Sequence, residues 1–213
     1  MIDPSRVGRV DCHMHYMPTG FDNRRQASGG PGGRRMLGSP DSDGRPGWTD
    51  LAELRAVMDS AGVDLGVLLT FPHHATPFRR PDESIAQVIS RYNQAMSADL
   101  EKLGQDRFVM MASVDPLSGP EGIERLRGDL ALPHVRGIAL LTNYGDVTLD
   151  DPRFAPIFEL AGEHDVAVTV HPGSAWPSWR DGARLGESSF LMSGLGYFLA
   201  DALCIFHMAH AGV

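Results

Sequence analysis

Apolar residues fall into two spacings along this chain. Nearly unbroken apolar runs stand at residues 64–71 (DLGVLLTF), 107–114 (RFVMMASV), 135–141 (VRGIALL) and 166–171 (VAVTVH). Runs of that length suit strands covered on both faces, as in parallel sheets. Residues 7–13 form a fifth, more polar strand. Between the strands the spacing becomes helical. Residues 50–61 put Leu51, Leu54, Val57 and Met58 on one face, and Gly62 follows as a stop signal. Residues 81–103 carry Ile85, Val88, Ile89, Tyr92 and Met96 in helical register. Further helices are predicted over 122–130, 154–164 and 190–211, the last closed by Gly212.

Strand and helix in strict alternation mean βα units and a parallel sheet. The fold class is therefore α/β. Five units in 213 residues are about 43 residues each, so eight would need roughly 340, within the range of an elaborated (β/α)₈ barrel. The expectation is a TIM barrel with strands 1–5 present and 6–8 missing. A five-stranded open sheet of flavodoxin type is the competing architecture.

Composition narrows the function classes. A hydrophobic fraction of 42% and a charged fraction of 22% are ordinary for one soluble domain, here residues 1–213. The net charge of −8 argues against a nucleic-acid partner, which needs a basic face. Two cysteines, Cys12 and Cys204, make no disulfide framework, and a cytoplasmic location is expected. The first residues, MIDPSR, lack the apolar core of a signal peptide. Residues 190–213 approach the length of a bilayer span. They hold Asp201, His207, His210 and three glycines, which are costly in lipid. A helix buried on a soluble core is the better reading, with no membrane partner.

The chemistry concentrates at strand ends. In Asp11-Cys12-His13-Met14-His15, alternate residues of an extended segment share a face. Asp11, His13 and His15 then point one way, and Cys12 and Met14 the other. Two imidazoles at that spacing can chelate one divalent ion, with zinc the default. Asp11 is placed to support such a site, and Cys12 is expected to pack. The second signal is Ala167-Val168-Thr169-Val170-His171-Pro172. Ala167, Thr169 and His171 share one face, the valines the other, and a strand-end His is a catalytic position in a barrel. A hydrogen-bonded structural His is the alternative. His73 and His74 follow the second strand on the same rim, either touching substrate or lying in a polar loop. His134, His164, His207 and His210 read as structural. No Walker motif, GxGxxG, CxxC or GxSxG is present.

Residues 17–48 hold eight glycines, four prolines and arginines at 24, 25, 34, 35 and 45. Long loops of this kind are solvated inserts or lids over a site, and both readings stand.

Asp11-Cys12-His13-Met14-His15 with Pro18 resembles the DxHxH signature that opens the amidohydrolase-related family containing aminocarboxymuconate-semialdehyde decarboxylase. WTDLAELRAVMDSAGV (48–63) is similar to the helix that follows in that family. The resemblance is strongest over 137–173, from GIALL through LDDPRFAP to the His-Pro of strand five, and 190–213 resembles the helix before strand six. It implies a metal-dependent enzyme that decarboxylates, hydrates or hydrolyses small aromatic or enoic carboxylates. His13, His15 and His171 match three family metal ligands. Two further family residues, a His after strand six and an Asp after strand eight, have no counterpart before Val213. The resemblance also implies that an arginine of the loop, Arg24, Arg25 or Arg34 among them, grips a substrate carboxylate. Those arginines, with His73 and Trp176, are the candidate substrate contacts. A catalytically incomplete remnant acting as a binding or assembly module is the rival reading. Five strands would leave two open sheet edges and an uncovered last helix, so a homo-oligomer or a completing polypeptide is expected.

Overall fold

The computed structural model describes residues 7–21, 50–104, 106–173 and 195–213. Five parallel strands form one sheet: β1 (Val10–Met14), β2 (Leu65–Leu69), β3 (Phe108–Ser113), β4 (Val135–Leu141) and, after a small hairpin, β7 (Ala167–His171). Their spatial order is the chain order, β1-β2-β3-β4-β7. A flavodoxin-type sheet would place β1 inside, between β2 and β3, so the sequential order decides for the barrel. Curvature confirms it. Strands lie about 4.7–4.9 Å apart, so four spacings hold the edge strands roughly 19 Å apart in a flat sheet. Yet His13 Nε2 of β1 and His171 Nε2 of β7 are 3.1 Å apart. The sheet is a half-barrel whose two edges turn side chains toward a common axis.

Each strand divides its side chains between the two faces. Leu68, Met110, Ile138 and Leu140 join the larger core with the helices. Leu69, Phe71, Met111, Ala139 and Leu141 form a second cluster on the other face. Both faces are apolar, which is why these strands lack polar alternation. The partly buried Val168 and Val170 pack on the larger core, as their shared face requires.

The helices begin and end on readable chemistry. Asp50 caps α1 (Leu51–Ala61), its carboxylate accepting from Ala52 N at 2.8 Å, and Gly62 ends it at φ 65°. Gly is favoured there because a Cβ is strained at positive φ. The short helix α2 (Pro72–Ala75) follows β2 directly. Helix α3 (Ile85–Asp99) starts later than residue 81, where Ser84 and Gln87 make a capping box, and loosens into a π turn at Leu100–Gly104. Helices α4 (Gly119–Asp129), α5 (Ala155–Glu163) and α6 (Tyr197–Ala211) follow among the described residues.

Three expectations need correction. Cys12 is exposed rather than packed, because β1 is an edge strand and no described element covers it there. Val57 and Ile85 are exposed, at 43% and 42%, as they sit at the margins of their apolar stripes. The last helix is not buried on a core but largely uncovered, as expected for five strands alone. In α6 only Ala200 and Cys204 are buried, while Phe198, Ile205 and Phe206 are 64–73% exposed. The half-barrel offers α6 one side to lie on, and its apolar residues run round the whole circumference. No described helix is long and apolar enough to cross a membrane.

Besides α2, the hairpin of β5 (Asn143–Tyr144) and β6 (Val147–Thr148) was not foreseen. Its two-residue loop is Gly145-Asp146 with Gly145 at φ 65°, a pairing that favours tight hairpins.

Candidate metal centre

β1 delivers His13 and, one residue past its end, His15. The register of β1 on β2 shifts between Asp11 and Met14. Within that irregularity Asp11 Oδ1 accepts the His13 backbone N–H at 2.9 Å. Asp11 thus fixes the backbone that carries His13 and takes no place among the converging donors. His171 ends β7, where Leu141 of β4 is its partner and Thr142 N donates to its carbonyl at 2.9 Å. The chain beyond is held by Gly173, whose N–H donates to Thr142 Oγ1 at 2.9 Å. A Cβ at Gly173 would collide with the Asn143 side chain, so this close approach requires glycine.

The ligand atoms of His13, His15 and His171 all lie within 4.8 Å of one another. Their protonation follows from their partners. His15 Nδ1 faces the Leu69 carbonyl at 3.4 Å, and His171 Nδ1 faces the Pro172 carbonyl at 2.9 Å. A carbonyl only accepts, so both rings carry the proton on Nδ1 and turn an Nε2 lone pair elsewhere. Backbone carbonyls orient metal-bound histidines in the same way. Burial, reinforced by the neighbouring His171 and His13, lowers the His15 pKa to about 3. Burial lowers that of His171 to about 4. Both are neutral at pH 7, the form that binds a cation.

The donor set fits a divalent ion. Two nitrogens on one zinc at about 2.0–2.1 Å lie no more than roughly 4.2 Å apart, which the 3.1 Å between His13 and His171 satisfies. The widest spacing, 4.8 Å, is closed by a small side-chain movement.

The sequence leaves His73 and His74 open between substrate contact and polar loop. The structure puts both on α2, beside the centre. The His74 ring lies 5.9 Å from that of His15, and the two rings lie 4.4 Å from each other. Their Nδ1 atoms are buried and meet no hydrogen-bond partner among the described residues. Burial lowers His73 to about 4 and His74 well below the ordinary histidine range.

The loop expected over 17–48 does not begin at residue 17. Met17 and Phe21 are buried, at 5% and 2% exposure. Asp99 of α3 accepts from Tyr16 Oη at 2.9 Å and from Thr19 N at 2.7 Å. The Arg91 guanidinium lies over the Phe21 ring, pairs with Glu83 and donates to the Phe78 carbonyl. Residues 16–21 are thus clamped to α3, a tertiary arrangement that no local pattern announces. Arg24, Arg25, Arg34, Arg35, Arg45 and Trp176 lie outside the described residues. Among the weaker histidines, His134 faces the Phe108 carbonyl at 3.2 Å and His207 lies 3.7 Å from Asp150, both structural roles.

An amidohydrolase family model matches residues 10–211. This chain belongs to the amidohydrolase family. Similar amidohydrolases include the 2-amino-3-carboxymuconate-6-semialdehyde decarboxylase of Dictyostelium discoideum. It is 25% identical over 180 residues, which cover 77% of this chain and 48% of that protein. A 5-carboxyvanillate decarboxylase of Novosphingobium aromaticivorans, solved with bound manganese and a nitrobenzoic acid, is also 25% identical. It superposes with a TM-score of 0.59 over 76% of this chain and 46% of its own. The 2,6-dihydroxybenzoate decarboxylase of Rhizobium shares the fold, at 17% identity and a TM-score of 0.63, over 97% of this chain and 62% of that one. The chain therefore spans about half the length of the first two relatives.

Proposed function

We propose that this chain carries the metal-holding part of a metal-dependent decarboxylase or hydrolase acting on small aromatic or enoic carboxylates. The observation that carries the reading is the convergence of His13, His15 and His171 from opposite sheet edges. A three-imidazole set suits zinc, and the Novosphingobium relative holds manganese. We take the ion to be one of these two. When bound, it would polarise a substrate oxygen and lower the pKa of bound water. The chain's own residues have separable tasks. The Leu69 and Pro172 carbonyls hold two imidazoles in one tautomer. His73, on the same rim, would contact substrate, and an arginine of the loop would grip its carboxylate as a bidentate donor.

The test is metal analysis of the purified protein, followed by assays for CO₂ release from hydroxylated benzoates and for hydrolysis of related amides and lactones. A stoichiometric divalent ion with turnover of a carboxylated substrate is expected. Absence of metal binding at micromolar zinc and manganese overturns the reading. The uncovered apolar helix α6 favours a second reading, an assembly module that associates with copies of itself or with the remaining barrel units. Metal binding together with turnover distinguishes the first reading from the second.

A further inference from the structure

We propose that Phe71 is a positioning residue of the histidine centre, the ring that sets the planes of His15 and His171; this rests on the metal-site reading. Phe71 follows β2 and has no exposed surface. It makes ring contacts with imidazoles from three separate parts of the chain. Its centroid is 4.4 Å from His171, 5.9 Å from His15, 5.7 Å from His74 and 5.8 Å from His73. The contact with His73 is parallel, at 7°. Fully buried, Phe71 acts through these neighbours and not on substrate.

The need for such a ring follows from geometry. A histidine has two side-chain torsions, and its Nε2 finds a common point only when both are fixed. The terminal torsion is broad by nature. A hydrogen bond from Nδ1 pins one edge of the ring and leaves rotation about that bond open. The Leu69 carbonyl pins His15 in this way, and the Pro172 carbonyl pins His171. Phe71 meets both rings from the side, removing the remaining freedom. It stands two residues after Leu69, so one strand end supplies both constraints on His15. A phenyl ring offers no lone pair and no strong donor. It can lie against ligating imidazoles without competing for their nitrogens. Its stacking on His73 also seats α2, whose N-cap is Phe71 itself.

The experiment compares Phe71→Ala, Phe71→Leu and the control Phe154→Ala in the full chain. Phe154 is equally buried, but its described ring contact is with Tyr144. Manganese and zinc affinities are measured by equilibrium dialysis at a temperature where each variant keeps wild-type circular dichroism. Phe71→Ala is expected to weaken binding at least tenfold, Phe71→Leu to recover most of the loss, and Phe154→Ala to bind within about threefold of wild type. Unchanged affinity in Phe71→Ala, or an equal loss in Phe154→Ala, overturns the proposal. A second readout needs no metal. Imidazole ¹⁵N spectra of the metal-free protein report the tautomers of His15 and His171. Phe71→Ala should move both toward averaged tautomers, and unchanged spectra overturn the role. If wild type binds neither metal, the metal-site reading fails while these spectra still decide for or against Phe71.

Discussion

His13 and His171 are 158 residues apart in the chain, yet their Nε2 atoms stand 3.1 Å apart. Two imidazole nitrogens at that distance share one proton or one cation. His171→Ala should therefore weaken divalent-metal binding more than the 10–100-fold typical of residues that merely support a ligand. His73→Ala should leave the metal content intact and raise KM for a carboxylate substrate. Calorimetric metal titration and steady-state kinetics check the two outcomes. Asp99 is a residue of another kind. It is 8% exposed and holds Tyr16 and Thr19 at the root of the loop. Asp99→Ala leaves the buried Tyr16 hydroxyl unmatched, at about 1–3 kcal/mol, and frees the partly buried Thr19 N–H at a smaller cost. Urea denaturation should show the loss, with metal affinity changed far less than in His171→Ala. The three converging histidines were legible because each sits at a strand exit, where alternation and chain direction fix the side chain's heading. The roles of Asp99, Arg91 and Phe71 were not. Each depends on contacts between segments distant in sequence, which no local spacing encodes.

At the scale of elements, capping chemistry carries much of the definition. The Asp50 carboxylate satisfies two N–H groups of α1, at 2.8 and 3.2 Å. Asp50→Ala should cost about 1 kcal/mol, seen as a lower melting temperature, while Asp50→Asn recovers most of it. The five strands and five longer helices were legible because a doubly covered parallel sheet writes unbroken apolar runs into its strands. Boundaries slipped where a cap overruled the apolar spacing, as at Ser84. The hairpin was missed although Gly145-Asp146 is a turn signal, because its strands of two residues are too short to show a period. Helix α2 was missed for the same reason. Its four residues are set by Pro72 at the first turn and by the packing of Phe71, and the sequence there reads as a rim loop. The lid-like loop is the clearest case of composition misplacing a boundary. Pro18 and Gly20 look like loop residues, but Met17 and Phe21 are core.

For the whole molecule, the buried histidines couple stability to pH. Burial holds His15 at about 3 and His73 and His171 at about 4 in the folded chain, against about 6.5 when unfolded. Between those values the unfolded chain binds more protons, so stability rises with pH. Their contribution is intact above pH 6.5 and is lost as pH falls toward 4. Arg91 holds Glu83 at about 2, so its contribution is present above about 4.5 and is lost as pH falls toward 2. Melting temperatures in chelator should thus be level above pH 7 and fall continuously below 6.5. A maximum at pH 5 would contradict this. The remaining whole-molecule property is association. Phe198, Ile205 and Phe206 expose most of their surface on one helix, and Leu195 and Val213 beside them are about half exposed. Monomers seldom show so continuous an apolar face. At the sheet edges, β1 and β7 each have one described neighbour, leaving backbone groups able to pair with another chain. The 213-residue chain should therefore sediment above its 23.1 kDa monomer mass at micromolar concentration. Replacing Phe198 and Phe206 by Glu should shift it toward the monomer without lowering the melting temperature, because neither side chain is packed. A wild-type monomer across that range would show that α6 tolerates water. An unchanged oligomer in the double variant would move the contact to the strand edges, where a proline in β7 would be the next substitution to try.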